Sequence, residues 1–177
     1  MREVALQPVE AARTAGFEGI LREHQSMVFS IAYHFLQDPG AAEEVAQDVF
    51  LQLYRKLPEL ESPAHVLFWL RKAACHRSID RSRRRLARPE VSLESLPEQM
   101  SAARWNDPWL GRRLRGLVAS LPERMGMVLI LRFQEDLEIE EIAGVLGIPA
   151  GTVKSRLQRA LAKLRDKAGR LLGEASL

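Results

Sequence analysis

The residues best able to do chemistry form a series of Lys and Arg near the C-terminus, at the spacing of one helix. They are Lys154, Arg156, Arg159, Lys163 and Arg165. The positions between them are largely apolar and recur every three or four residues: Val153, Leu157, Ala160, Leu161 and Leu164. Cationic side chains opposite such an apolar face can hold phosphates and donate hydrogen bonds to base edges. The pattern therefore predicts a helix that recognises nucleic acid.

A second, shorter helix is predicted directly before this basic one. Its apolar residues recur at helical spacing: Ile139, Ile142, Ala143 and Leu146. Gly147 follows at the place where a left-handed residue ends a helix, and Pro149 prevents continuation. Ala143, Gly147 and Val153 also have the sizes required where the helices of a helix-turn-helix cross. In that motif the second helix enters the major groove of DNA. The alternative is two ordinary amphipathic helices with a solvated basic face.

The rest of the chain shows helical periodicity and almost no strand signals, which predicts an all-α fold. Further helices are predicted at about 17–35, 41–56, 64–86, 110–121 and 122–134. Residues 87–107 lack a continuous apolar face and carry Pro89 and Pro97 among polar residues, as is typical of a linker. The sequence thus predicts two small helical domains joined by a flexible linker. The predicted boundaries are an N-terminal extension at 1–16, domains at 17–86 and 108–172, and the linker at 87–107.

Charge is unevenly distributed along the 177 residues, although the formal net charge is only +3. Residues 61–90 hold eight Lys and Arg against three Asp and Glu, and residues 150–177 hold seven against two. Residues 1–60 hold five against nine, and residues 121–149 hold two against six. The two basic segments indicate two phosphate-facing surfaces. The acidic segments would oppose non-specific adhesion or meet a basic partner.

Several classes of protein are not favoured by this sequence. Cys75 is the only cysteine, which excludes an intrachain disulfide and fits a reducing compartment. No apolar run approaches the roughly 20 residues of a membrane span, and residues 1–16 do not form a secretory signal. The histidines and Cys75 lack zinc-ligand spacing, and there is no Gly-rich phosphate loop or G-x-S-x-G motif. We therefore expect a cytoplasmic protein without membrane insertion, catalytic activity, metal or cofactor.

Cys75 leaves two alternatives open. It is a small buried residue, or, if it is exposed beside Arg71, Lys72 and Arg77, its thiolate is favoured.

Four sequence blocks together resemble one family. D-P-G-A-A-E-E-V-A-Q-D-V-F-L-Q-L-Y (38–54) and F-W-L-R-K-A-A-C-H-R-S-I-D-R-S-R-R-R (68–85) resemble the N-terminal domain of bacterial sigma factors. L-P-E-R-M-G-M-V-L-I-L-R-F (121–133) and G-T-V-K-S-R-L (151–157) resemble their C-terminal domain. Two domains with a short linker are similar to the extracytoplasmic-function (ECF) group, over about residues 17–170.

The resemblance implies a function and a set of partners. Sigma factors are not enzymes; they attach to core RNA polymerase and place it at promoter DNA. Members of this group are commonly held inactive by an anti-sigma factor, so such a partner is expected, and we expect a monomer outside these complexes. The helix at 41–56 resembles the element that docks on core polymerase, with Phe50 and Leu53 holding it in its domain. Its implied docking residues are Glu43, Glu44, Gln47 and Asp48, for which the alternative is a solvated helix face.

The helix at 64–86 resembles the element that reads the −10 promoter region and captures a base from the opened strand. The implied −10 residues are Arg71, Lys72, His76, Arg77, Asp80, Arg81 and Arg84. The family commonly has asparagine where this chain has His76, so the preferred base is left open. Asp80 could orient Arg77 or Arg84. Phe68 and Trp69 are either core residues or platforms for an unpaired base.

The C-terminal helix-turn-helix is expected to bind the −35 element as duplex DNA. The implied −35 residues are Arg132, Thr152, Lys154, Ser155, Arg156, Gln158 and Arg159. Lys154, Ser155, Gln158 and Arg159 match base-facing positions, whereas Thr152 and Arg156 are better placed for phosphates. Arg132 would hold DNA backbone from the preceding helix. The alternative for the whole chain is a stand-alone helix-turn-helix repressor or activator, which would bind its DNA without core polymerase.

Overall fold

The computed structural model describes residues 6–87 and 115–174, and the regular elements within these ranges are helices. The N-terminal group contains α1 (Leu6–Leu36), α2 (Pro39–Lys56) and α3 (Pro63–Ala87), with a 3-10 turn at Leu57–Glu59 before α3. The C-terminal group contains a helical turn at 115–119 and then α4 (Glu123–Phe133), α5 (Ile139–Leu146) and α6 (Ala150–Glu174). The prediction of an all-α fold is confirmed.

The helix bounds differ from the expected ones mainly at the N-terminus. α1 begins at Leu6, so residues 6–16, predicted as an extension, continue the first helix. Residues 88–107 of the predicted linker and residues 110–114 of the fourth predicted helix lie outside the described residues.

The junction between α1 and α2 is built by local chemistry. Asp38 is extended at φ −137° and ψ 110°, and its Oδ1 accepts a hydrogen bond from the Ala41 N–H at 3.1 Å. Pro39 occupies the first helical position, where its missing N–H costs no hydrogen bond. An N-cap of this kind stabilises a helix by about 1 kcal/mol. These residues set where α2 starts and therefore which of its residues share a face.

α2 buries one face against α1 and α3. Val45, Val49 and Leu53 recur at helical spacing and are at most 4% exposed. Leu70 and Ala74 of α3 are fully buried, and the three helices pack pairwise into one bundle. Because the apolar stripe of α2 faces inward, its acidic positions must face outward.

The C-terminal group has the turn geometry of a helix-turn-helix. Gly147 ends α5 with φ +64°, a left-handed conformation that glycine adopts without steric cost. α5 and α4 both pack on α6, where Val153 is fully buried. Ala143 is partly buried beside the same core. The predicted helix-turn-helix is confirmed, with Gly147 at its turn and Val153 buried.

The two groups also pack against each other. α1 contacts α4, and α3 contacts α5. A single hydrophobic core contains Leu70 and Cys75 from α3 together with Met127, Leu131 and Ile142 from the C-terminal group. The sequence predicted two domains, but it contained no signal for this contact between them.

Candidate nucleic-acid interface

The expected base-reading residues of α6 lie on its outer face. Lys154, Gln158 and Arg159 are exposed, whereas Val153 and Ala160 on the opposite face are fully buried. Thr152, Ser155 and Arg156, the remaining predicted residues of this helix, are partly exposed. All six predicted residues of α6 are thus at least partly accessible.

Arg159 is held in place by its own helix. Its Nε donates to the Ser155 carbonyl oxygen at 3.2 Å, and one terminal nitrogen donates to Ser155 Oγ at 3.1 Å. Restricting a long side chain in this way removes part of the entropy cost of binding. Ser155 therefore has a role that its position in the sequence did not reveal, which is to orient Arg159.

Three guanidinium groups form a cluster beside this face. Partial burial lowers the pKa of Arg156, and the nearby Arg124 and Arg159 lower it further. A bound phosphate would relieve this mutual repulsion. Arg124 was missed by the sequence analysis. Its place in the L-P-E-R block marks a helix start, but only the packing of α4 on α6 brings it to Arg156.

Arg132 is engaged within the protein. Its Nη1 donates to the Leu137 carbonyl oxygen and to Glu138 Oε1, each at 3.0 Å. The Glu138 N–H in turn donates to a carboxylate oxygen of Glu141 at 2.8 Å, which satisfies a free donor at the start of α5. Arg132 therefore fixes the turn that leads into the helix-turn-helix. Its direct contact with DNA backbone stays a prediction.

The four predicted docking residues project from the outer face of α2. Glu43, Glu44, Gln47 and Asp48 are all exposed. Phe50 and Leu53 are 6% and 0% exposed, as expected for residues that hold the helix in its bundle. Leu51, which the sequence analysis did not single out, is 62% exposed beside this acidic face. An apolar side chain next to carboxylates and an amide is a common composition for a protein-binding surface.

The acidic face of α2 meets the basic face of α3. Glu44 Oε2 lies 2.7 Å from a terminal nitrogen of Arg81, and Asp38 Oδ2 lies 3.6 Å from Nη1 of Arg85. The Arg77 guanidinium faces the side-chain amide of Gln52 on α2. The predicted docking and −10 residues are therefore neighbours in the folded protein, joined by an ion pair.

The predicted −10 residues occupy different faces of α3. Arg77, Asp80, Arg81 and Arg84 line a small cleft towards α2, together with Glu44 and Asp48. His76 is exposed and Lys72 is partly exposed. Arg71 lies on the side that meets the C-terminal group. One helix thus presents cations in several directions, and only part of them can face a single DNA strand at once.

Arg71 is distinctive among these residues because its Nε is buried and lacks a hydrogen-bond partner within the described residues. An unsatisfied buried donor costs about 1–3 kcal/mol. Burial raises the pKa of Glu135, and the Arg71 charge opposes that rise. Arg71 and Glu135 therefore face each other across the contact between the two helical groups.

Cys75 resolves an alternative that the sequence left open. Cys75 is fully buried, and burial, followed by the charge of Glu135, raises the pKa of its thiol, while Arg71 opposes the rise. The exposed, thiolate-favouring environment is therefore excluded. Trp69 packs partly buried against the core, whereas Phe68 remains 40% exposed.

No helix in the described ranges, 6–87 and 115–174, combines the length and apolar character needed to cross a membrane.

The fold and the site define a class: a helical protein with a helix-turn-helix in one group and a basic helix beside an acidic one in the other. Residues 20–88 match the Sigma-70 region 2 family, and residues 111–164 match the Sigma-70, region 4 family. The chain is 30% identical over 151 residues to the RNA polymerase sigma-E factor of Streptomyces coelicolor, covering 85% of each chain. The chain belongs to the sigma-70 family of RNA polymerase sigma factors, in its ECF group.

One further relative and one solved structure are also similar to this chain. The ECF RNA polymerase sigma factor SigE of Mycolicibacterium smegmatis is 28% identical over 166 residues, which cover 89% of this chain and 63% of that relative. The chain thus spans a little under two thirds of the length of that protein. The solved structure of the sigma factor RpoE of Bartonella quintana, in complex with the anti-sigma factor NepR, aligns with a TM-score of 0.65. It is 21% identical and the match covers 85% of this chain and 95% of that chain, which shows a shared fold.

Proposed function

We propose that this protein directs core RNA polymerase to specific promoters and thereby starts transcription without itself catalysing a reaction. The observation that carries the proposal is the pairing, in one chain, of region 2 and region 4 with a separate cationic surface on each. α6 supplies the −35 reader, α3 supplies the −10 reader, and the outer face of α2 supplies the polymerase contact. An anti-sigma factor is the regulatory partner that this assignment implies.

The −35 assignment rests on the accessible side of α6. Arg159, oriented by Ser155, can donate two parallel hydrogen bonds to guanine O6 and N7, and Gln158 can pair with adenine. The cluster of Arg124, Arg156 and Arg159 supplies positive charge for the flanking phosphates. Neighbouring residues of one surface thus supply both the contacts to the DNA bases and the contacts to the DNA phosphates.

Run-off transcription tests the proposed function directly. Purified core polymerase with this protein is expected to start at defined sites of a promoter library, whereas core polymerase alone should not. A stand-alone helix-turn-helix regulator would instead bind its duplex equally well without polymerase. Failure to bind core polymerase and to start transcription at any promoter would refute the proposal.

The polymerase contact on α2 is tested by reversing one exposed charge. Asp48→Lys should reduce core affinity by at least tenfold, or about 1.4 kcal/mol, because like charges facing each other across an interface are strongly unfavourable. Glu44 is less suitable for this test because it also pairs with Arg81. Glu23→Lys is the matched control, since it makes the same charge change at an exposed position of α1. Equal affinities for all three proteins in fluorescence titrations would show that the docking surface lies elsewhere.

A further inference from the structure

Two arginines of α3 are held from the side by polar residues of α2. Arg77 and Arg81 are four residues apart, so they are neighbours on one face of α3. Gln52 and Glu44 are eight residues apart on α2, about two helical turns, so they also share a face. Arg77 contacts Gln52, and Arg81 contacts Glu44. Gln52 was not among the predicted site residues.

The contact between Gln52 and Arg77 is made by two hydrogen bonds. A guanidinium only donates, so the amide oxygen of Gln52 must face it. In this orientation the oxygen accepts from Nε of Arg77 at 2.9 Å and from a terminal nitrogen of the same guanidinium. Two bonds to one oxygen fix the direction of the guanidinium plane as well as its position. Both residues are partly exposed, so the contact lies at the surface, where a ligand can reach it.

The contacts of Arg77 and Arg81 differ in their effect on charge. The Glu44 carboxylate lies 2.7 Å from a terminal nitrogen of Arg81 and offsets its positive charge. The amide of Gln52 is neutral, so it orients Arg77 without offsetting the charge of the guanidinium. Asp48 and Asp80 line the same cleft, but within the described residues neither forms an ion pair with Arg77. Arg77 is therefore both oriented and fully charged.

An arginine that is oriented in advance binds an anion more tightly. The side chain has many rotamers, and ordering it at an interface normally opposes binding. A guanidinium that Gln52 already holds loses little further freedom when a phosphate arrives, which raises the affinity by roughly two- to tenfold. The contact between Gln52 and Arg77 thus acts on the affinity for an anionic ligand.

We propose that Gln52 is a positioning residue of the −10 site, which holds Arg77, with its charge intact, for a phosphate of the opened promoter strand. This inference rests on the proposed function, because it takes α3 as the −10 reader. Gln52 acts through Arg77 and does not itself contact DNA. The helix that carries the polymerase contact, α2, therefore also supplies a residue that orders the −10 site.

The test is the affinity of the holoenzyme for a promoter fork that carries an unpaired −10 strand and lacks the −35 element. Binding is measured by fluorescence titration at several salt concentrations. Gln52→Met removes the amide oxygen and keeps the side-chain length and helix propensity. It should weaken binding roughly two- to tenfold without changing the slope of log affinity against log salt, because Arg77 still reaches the phosphate. Gln25→Met, the same change at an exposed position of α1, is the matched control and should bind like the parent protein.

Replacing Arg77 separates the phosphate contact from the residue that positions it. Arg77→Ala should weaken binding and reduce the salt slope by about 0.7, the value for one phosphate of a single strand. Once Arg77 is alanine, adding Gln52→Met should have no further effect, since the two residues act as a unit.

A carboxylate at position 52 tests the role of the neutral amide. Gln52→Glu keeps an oxygen acceptor for Arg77 and adds an exposed ion pair, so the melting temperature should be maintained. It also offsets the charge of Arg77, so the holoenzyme should bind the fork less tightly, by a factor that shrinks as the salt concentration rises. A contact that served only the fold would tolerate Gln52→Glu without loss of binding.

The outcomes separate this proposal from the function on which it rests. The role of Gln52 is overturned if Gln52→Met binds the fork like the parent protein, or weakens binding equally when Arg77 is already alanine. It is also overturned if Arg77→Ala changes neither the affinity nor the salt slope, even though the parent holoenzyme starts transcription. A loss of melting temperature or core affinity that matches the loss of fork binding would assign Gln52 a structural role instead. If the parent protein neither binds core polymerase nor starts transcription, the proposed function fails and the role of Gln52 fails with it.

Discussion

Replacing Arg159 by alanine provides the sharpest test of the proposal that α6 reads the −35 DNA. Arg159 is exposed, and two hydrogen bonds to Ser155 at 3.2 and 3.1 Å direct its guanidinium along the helix surface. Alanine is at least as good a helix former, so the fold should be unaffected. Loss of a bidentate contact to guanine removes about 1–3 kcal/mol of discrimination, equivalent to roughly 5- to 150-fold. Arg159→Ala should therefore lose preference at one or two −35 positions.

The assay is competition binding of the holoenzyme to −35 duplexes that carry every single-base change, at several salt concentrations. Lys163→Ala, one helical turn further along α6, serves as the control for a phosphate contact. It should weaken all duplexes alike and reduce the slope of log affinity against log salt by about one. If Arg159→Ala behaves in this same uniform way, Arg159 binds phosphate and the assignment of the base reader is wrong.

Three further predictions concern α3 and its neighbours. A double-mutant cycle on Glu44 and Arg81, with alanine at each, should give a coupling of about 0.2–1 kcal/mol in the free energy of unfolding, as for other exposed ion pairs. If the effects of the two substitutions simply add, their 2.7 Å contact contributes nothing to stability. His76→Asn should change the favoured base within the −10 element in run-off assays and leave −35 preference alone, whereas equal weakening on all promoters would assign His76 to phosphate. Cys75 should resist a thiol reagent until the protein unfolds, because it is fully buried and burial raises the pKa of its thiol. The unfolded chain therefore loses the thiol proton at a lower pH than the folded protein, so Cys75 should reduce the free energy of unfolding as pH rises above about 8.5. A Cys75→Ala variant that loses the same stability at alkaline pH would contradict this.

Local features of the chain were predictable because their causes lie within a few residues. Gly147 ends α5 in a left-handed conformation, as its place before Pro149 indicated. Asp38 and Pro39 mark the junction of α1 and α2, and the apolar spacing identified Phe50 and Leu53 as inward-facing. Each of these predictions depends on backbone conformation or on helical periodicity, and both are encoded in short stretches of sequence.

Other features depended on which helix faces meet, and periodicity carries no information about that. Leu51 is as apolar as its buried neighbours, yet it is 62% exposed because no helix in the described ranges covers that side of α2. Arg132 resembles a DNA-binding residue in its motif, but the loop that follows α4 supplies acceptors at Leu137 and Glu138. An isolated helical pattern cannot distinguish these outcomes.

The sequence by itself determined the two helical domains, the helix-turn-helix and the membership in the sigma-70 family, because capping, turn and apolar-spacing signals are local and the family blocks are contiguous. Only the tertiary structure decided that Glu44 pairs with Arg81, that Arg124 lies near Arg156, and that Arg71 lies near Glu135 of the C-terminal group. Each of these three contacts joins different helices or helical groups. Such contacts follow from the complementary shape and charge of packed surfaces, which exist only once the helices are assembled.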